Sequence, residues 1–168
     1  MAPMAASWTR FKQTLSVRFL GWWKIPLIAA VRPRVEELDE RRCVIRIPLR
    51  RRTRNHLGSM YFGALAIGAD IAGGLIAVER IRRRKAQVSL VFKSFHAQFL
   101  KRPESDVYFI CEEGPEIGEL VDQALASEER VGRMVRLQAA VRAPDGSFDP
   151  VADLEIELTL KRSSRGAI

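Results

Sequence analysis

Asn55–Ala77 reads NHLGSMYFGALAIGADIAGGLIA. Between Leu57 and Ala77 it holds a single carboxylate, Asp70. From Ser59 or Met60 to about Ile81 the pattern is helical, and apolar positions run almost all the way round, which predicts an enclosed helix. Gly63, Gly68, Gly73 and Gly74 fall inside it. Each interior glycine costs about 0.5–1 kcal/mol relative to alanine, so something must come close to the helix: a wrapped sheet, a ligand or a second subunit. Length and composition also suit a membrane span, with Ala69-x-x-x-Gly73 as a small-xxx-small pair. Against a span, Asp70 would lie near the bilayer centre at a cost of roughly 2.5–3.5 kcal/mol, and basic clusters at both ends choose no orientation.

Outward from this helix the periodicity changes. Residues 33–40 form a candidate first strand. Residues 42–49 alternate, with Cys43, Ile45, Ile47 and Leu49 on one face and Val44 and Arg46 on the other, as in a half-buried strand. Residues 50–54 are basic, and Asn55 to Gly58 is turn-like. After the helix, residues 87–100 and 106–112 read as strands and 115–127 as a short helix. Residues 133–142 and 151–161 alternate, with Ala152, Leu154, Ile156, Leu158 and Leu160 predicted inward and Asp153, Glu155, Glu157 and Lys161 outward. Ala143-Pro144-Asp145-Gly146 is a turn. One-sided strands following a single long buried helix define an α+β class, an antiparallel sheet covering one helix.

Upstream, residues 7–20 predict an amphipathic helix with Ser7 as N-cap and Trp8, Phe11, Leu15 and Phe19 at helical spacing. Packing of this segment on the core is the expectation, and contact with a membrane surface through residues 7–28 is the alternative. Arg10, Lys12 and Arg18 interrupt any signal-peptide apolar region. The division expected is 1–32 as an N-terminal helical segment, 33–162 as one domain and 163–168 as a tail.

The chain has 168 residues, enough for one domain with a sizeable core. Apolar residues at 47% and charged residues at 29% exclude a disordered composition. Cys43 and Cys111 read as buried thiols of a reducing, cytoplasmic compartment rather than a disulfide framework. Only His56 and His96 are available as imidazole ligands, His96 reads as structural, and no metal-binding spacing is present, so no metal site is expected. The three tryptophans read as core or interface. The net charge is +8, carried by Arg50, Arg51, Arg52 and Arg54 and by Arg80, Arg82, Arg83, Arg84 and Lys85. Such clusters attract polyanions. The interleaved aromatic and basic residues of an RNA-binding surface are not seen, and no nucleic-acid partner is expected.

Three features of the central stretch point to chemistry. Asp70, inside an apolar helix, is a candidate general base. The N–H groups of Tyr61, Phe62 and Gly63 belong to the first helical turn, at the positive end of its dipole, where a developing oxyanion can be held. Asn55 lies just upstream, placed to orient a water or a carbonyl. A base, an oxyanion donor and an amide suggest acyl transfer to water.

These residues resemble the hotdog-fold acyl-CoA thioesterases, in particular the phenylacetyl-CoA thioesterase-like members. Their pattern is an Asn, a His-Gly-Gly that opens the long helix, and an Asp within it. Asn55 matches the Asn, Tyr61-Phe62-Gly63 stands in place of His-Gly-Gly, and Asp70 follows Gly63 by seven residues. Phe99-Leu100-Lys101-Arg102-Pro103 is similar to a recurrent F-L-x-P strand end, and the match extends over residues 33–162. Asn55, Gly58 and Gly63 also fit the N-x-x-G-x-x-x-x-G loop of a thioesterase-like branch with its own N-terminal helix. The resemblance implies a hotdog fold, a homodimer or dimer of dimers with active sites at the interface, and a coenzyme A thioester as substrate with no further cofactor. It implies a thioester carbonyl at the Gly63 N–H, Asp70 activating water and Asn55 positioning the reactants. Tyr61 brings a phenol where the family has an imidazole, and Phe62 narrows the pocket. Gly58 joins Phe62 as a substrate-binding candidate. Charge adds Arg84, Lys101 and Arg102 as candidates for the coenzyme A phosphates. Two further readings remain open: a non-catalytic hotdog module that binds acyl-CoA or lipid, and a basic binder of polyanions or membrane surfaces.

Overall fold

The computed structural model describes residues 2–163. In chain order the elements are α1 (Ala2–Lys24), α2 (Pro26–Val31), β1 (Arg34–Leu38), β2 (Cys43–Ile47), α3 (Phe62–Arg83), β3 (Val88–Phe99), β4 (Val107–Cys111), α4 (Gly114–Ala126), β5 (Val131–Arg142) and β6 (Phe148–Arg162). The strands form one sheet in the order β1-β2-β4-β5-β6-β3, every neighbouring pair antiparallel. The chain leaves the sheet at β2, runs through α3 and re-enters at the opposite edge as β3. That crossing lays α3 over one face of the sheet. The result is the hotdog fold.

The core is the layer between α3 and the inward residues of the strands. Cys43, Ile45 and Ile47 of β2, Phe109 of β4, Val135 and Leu137 of β5, and Leu154, Ile156 and Leu158 of β6 pack in one cluster with Ala69, Ala72 and Ile76 of α3. The inward and outward sets expected of residues 151–161 are the observed ones: Ala152, Leu154, Ile156, Leu158 and Leu160 are buried. Cys43 and Cys111 are free, buried and opposite each other across β2 and β4. Burial pushes both thiols up, Cys111 to about 11, so neither is a ready nucleophile. β2 is more enclosed than a half-buried strand. Its second face is also covered, because Val44 packs with Tyr108, Ile110, Ala140 and Phe148.

Two α3 glycines show why the helix carries so many. A Cβ on Gly68 would lie 2.3 Å from the Phe109 ring, and one on Gly73 would lie 2.3 Å from Ile156 Cδ1. Strand side chains rest directly on the helix backbone. α3 is long and apolar enough to cross a membrane, with a mean hydropathy of 1.6, but its apolar residues are spent on this packing. The sheet does not enclose it fully. Gly63, Ala66, Ile67 and Asp70 are only half-buried and follow one another at helical spacing, leaving a less covered stripe along the first turns of α3.

The N-terminal segment departs most from expectation. α1 begins at Ala2, so Ser7 is an interior residue and not the N-cap. The helix does pack on the domain, but through the other face. Val17 is buried, the Val35 N–H donates to Thr14 Oγ1 at 3.0 Å, and Arg18 Nε donates to the Pro33 carbonyl at 3.0 Å. Trp8, Phe11, Leu15 and Phe19, expected against the core, face solvent, as do Trp22 and Trp23. The cause is steric and polar together. The edge that α1 meets offers free main-chain groups around residues 32–36, and these are satisfied by the polar stripe. His96 is exposed on β3 and carries no core role. Of the expected tail, residues 164–168 lie outside the described residues.

Candidate active site

The site is built on the loop that leads into α3. Thr53 is buried, donates from Oγ1 to the Pro48 carbonyl at 2.7 Å and accepts from the Arg50 N–H at 2.9 Å. Asn55 closes the next turn. Its Oδ1 accepts from the N–H groups of Leu57 at 2.9 Å and Ser59 at 3.2 Å, and its Nδ2 donates to Ser59 Oγ at 3.0 Å. Gly58 completes that turn at φ +88°, in the left-handed region that glycine tolerates. Asn55 and Gly58 thus shape the loop. Thr53 and Ser59 were not anticipated from the sequence. Asx-turn chemistry at Asn55 could have suggested Ser59, whereas nothing local marks Thr53.

The loop delivers the chain to the helix N-terminus at Tyr61, whose N–H donates to the Thr53 carbonyl at 2.8 Å. This corrects one expectation: the Tyr61 N–H is spent and is not an oxyanion donor. Intrahelical bonding starts with Ala64, whose N–H donates to the Tyr61 carbonyl at 2.9 Å. The Phe62 and Gly63 N–H groups precede that first bond and point out of the helix end without an intrahelical acceptor. The Tyr61 ring leans over Gly63: a Cβ there would be 2.6 Å from Tyr61 Cε1. The Phe62 ring stands beside it, with centroids 4.7 Å apart, and both rings are exposed. Gly63 therefore accommodates its own neighbour's ring at least as much as a ligand.

Asp70 lies on the less covered stripe of α3. Seven residues separate it from Gly63, which is two turns, so the two share a face about 10 Å apart along the axis. Among the described residues Asp70 has no hydrogen-bond or ion-pair partner, and burial pushes its carboxyl up from the ordinary 3.8. A partly desolvated carboxylate without partners is what a general base requires.

The basic candidates divide. The Met60 N–H donates to the Pro103 carbonyl at 2.9 Å, which brings the 100–103 segment against the site loop. Lys101 there pairs with Asp149 at 2.6 Å and Arg102 with Glu104 at 3.7 Å. Arg84 caps the far end of α3, about 33 Å from Phe62 at 1.5 Å per residue, and pairs with Asp122. The structure does not bring Arg84 to the site of its own chain. Surface depressions of about 210, 560 and 340 Å³ are lined by other residues, not by Asp70 or Gly63. Among the described residues no group of three or more His, Cys, Asp and Glu side chains suits a metal ion.

The antiparallel sheet laid over one long buried helix makes this a hotdog-fold protein. The chain belongs to the family described as a domain of unknown function, DUF4442, matched over residues 13–160. A Pseudomonas aeruginosa protein of unknown function, described as a probable thioesterase, is similar at 22% identity with a TM-score of 0.70, over 89% of this chain and 96% of that one. A thioesterase family protein from Silicibacter pomeroyi is similar at 16% identity and TM-score 0.65, over 89% and 99%. A protein of unknown function from Chlorobaculum tepidum TLS superposes at TM-score 0.76 with 11% identity, over 92% and 97%. No curated protein matches the sequence.

Proposed function

We propose that the protein is a thioester hydrolase acting on acyl-coenzyme A as a homodimer. The observation that carries the reading is the unpartnered Asp70 carboxylate on the less covered stripe of α3, in line with the free N–H groups at the helix start. Asp70 removes a proton from water as the water attacks the thioester carbonyl. The carbonyl oxygen becomes an oxyanion held by the Phe62 and Gly63 N–H groups and the helix dipole. Collapse of the tetrahedral intermediate expels coenzyme A as the thiolate, and the acid proton returns to the leaving sulfur or to solvent.

The rise of about 10 Å along α3 between Gly63 and Asp70 favours a site shared between two chains. A two-fold axis passing α3 between Ala66 and Ile67 would set two helices antiparallel and bring Gly63 of each opposite Asp70 of the other. The open edge of β3 supports such pairing. It runs for 12 residues with Val91, Phe95 and Phe99 exposed, a template for a second strand. Lys101 and Arg102, beside the site loop, would face the coenzyme A phosphates. A cytoplasmic location agrees with the free buried thiols.

The ring of Tyr61 over Gly63 favours one alternative, a module that binds acyl-CoA without turning it over. A panel of acyl-CoA thioesters offered to the wild type and to Asp70→Asn decides between them. Hydrolysis by the wild type and its loss in the variant is the expected result. Tight binding without turnover supports the alternative, and undiminished turnover in Asp70→Asn overturns the role given to the carboxylate.

A further inference from the structure

α1 turns its apolar stripe away from the domain. Trp8, Phe11, Leu15, Phe19 and Trp22 fall within an arc of about 80° on the helix. The adjoining face is the packed one, held by Thr14, Val17 and Arg18 and by Arg10, which donates to the Glu36 carbonyl at 3.3 Å. Gly21 locks the turn into α2: a Cβ there would be 2.8 Å from the Ala29 nitrogen. The helix cannot roll its aromatic stripe inward without giving up these bonds. With Trp23 and Leu27 added, this ridge has seven large apolar side chains at 58–71% exposure. Scattered exposed apolar residues need no explanation, but a contiguous ridge does.

Charge says what covers it. Up to residue 35 the chain holds Arg10, Lys12, Arg18, Lys24, Arg32 and Arg34 and neither Asp nor Glu. Arg50, Arg51 and Arg52 join them, lining a cavity of about 210 Å³ with Val31 and Arg32 at the end of α2. Many arginines elsewhere pair with carboxylates, among them Arg42, Arg46, Arg83, Arg84 and Arg136. Among the described residues Lys12, Lys24, Arg32, Arg50, Arg51 and Arg52 have no carboxylate partner. Lys12 sits on the ridge itself, its Nζ 5.7 Å from the Trp8 ring centre. Aromatic residues at the crest with unneutralised cations beside them match the two layers of an anionic bilayer surface, acyl boundary and phosphate headgroups.

We infer that α1 and α2 form a docking surface for an anionic lipid membrane, with Trp8, Phe11, Phe19, Trp22 and Trp23 entering the interface and the flanking lysines and arginines meeting lipid phosphates. A second copy of the chain or a neutral apolar partner would leave the row of cations uncompensated. The surface is continuous with the site loop, because Arg50–Thr53 links α2 to the Tyr61 N–H through the Thr53 carbonyl. The docking stands whether or not the site hydrolyses a thioester.

The chain carries its own probe, since its three tryptophans are Trp8, Trp22 and Trp23. Full-length protein is mixed with vesicles of phosphatidylcholine and phosphatidylglycerol in equal parts. A blue-shifted tryptophan emission, quenching by brominated lipid and co-sedimentation are expected. Binding should weaken by about tenfold on phosphatidylcholine alone or on raising the salt. Phe11→Ser/Phe19→Ser should lower partitioning by at least about tenfold, while its unfolding midpoint and its handling of soluble acyl-CoA stay unchanged. No response of the wild type to the anionic vesicles overturns the inference, as does equal binding by the double variant. It is also overturned by a concentration-dependent doubling of mass that the double variant loses, with no vesicle binding, which would make the ridge a contact between copies.

Discussion

Asp70 is stabilised as the neutral acid by burial and by nothing else. The sign of its effect on stability follows. A carboxyl raised in the folded state contributes stability that is fully present below its ordinary 3.8 and is lost as pH rises through the folded value. Near neutral pH the ionised group is therefore a net cost. Asp70→Asn should raise Tm by about 2 °C at pH 7, and the gap should close as both proteins are melted at progressively lower pH. The same substitution should cut turnover by about 10²–10⁴-fold. A more stable and inactive variant is the signature of a residue retained for chemistry. In the wild type, kcat/KM against pH should fall on the acid side with a midpoint above 3.8, because only the ionised carboxylate accepts a proton.

α3 joins two incompatible demands at the scale of an element. Towards the sheet it must be smooth, and towards its open stripe it must present a charge. Gly68→Ala and Gly73→Ala each push a methyl into a space already occupied at 2.3 Å, by Phe109 and by Ile156. Each should lower stability by about 1–3 kcal/mol in denaturant titrations. A milder loss is expected for Gly74→Ala, where the Phe92 ring stands 3.1 Å away. β3 carries a different liability, an edge with no partner in its own chain. Val91→Lys/Phe95→Lys should turn the proposed dimer into a folded monomer in sedimentation analysis and abolish the proposed hydrolysis with it. Retained turnover by that monomer would contradict a site shared between chains.

The shared site is a claim about the whole molecule, and complementation tests it there. Gly63→Pro removes an N–H from the first turn, a position where α4 already tolerates Pro115. Gly63→Pro and Asp70→Asn should each be inactive alone. In a mixture that exchanges subunits, half the dimers are mixed and one of their two sites combines Asp70 with an intact Gly63, so about a quarter of wild-type activity should return. No recovery on mixing, with exchange confirmed by mass, would place both residues in one chain's site.

The antiparallel sheet over one buried helix was legible because it rests on local patterns, and the family resemblance supplied the hotdog fold. Alternation in residues 151–161, helical spacing and glycines in residues 62–83, and the turn at Ala143–Gly146 each report a periodicity or a dihedral demand that neighbours in sequence impose. Asp70 was legible for the same reason, as one charge against an apolar run. What the sequence left open was the direction in which each amphipathic surface points and which polar groups are already spent. A stripe of Trp8, Phe11, Leu15 and Phe19 is the same stripe whether it faces core or solvent. Only the main-chain groups that Arg18 and Thr14 meet turn it outward. Likewise the Tyr61 N–H is an orphan by position in the helix, and only the Thr53 carbonyl, eight residues upstream, takes it out of the site. Periodicity determines which residues share a face. Tertiary structure alone decides what that face meets, because burial and hydrogen bonding are settled between segments that are distant in sequence.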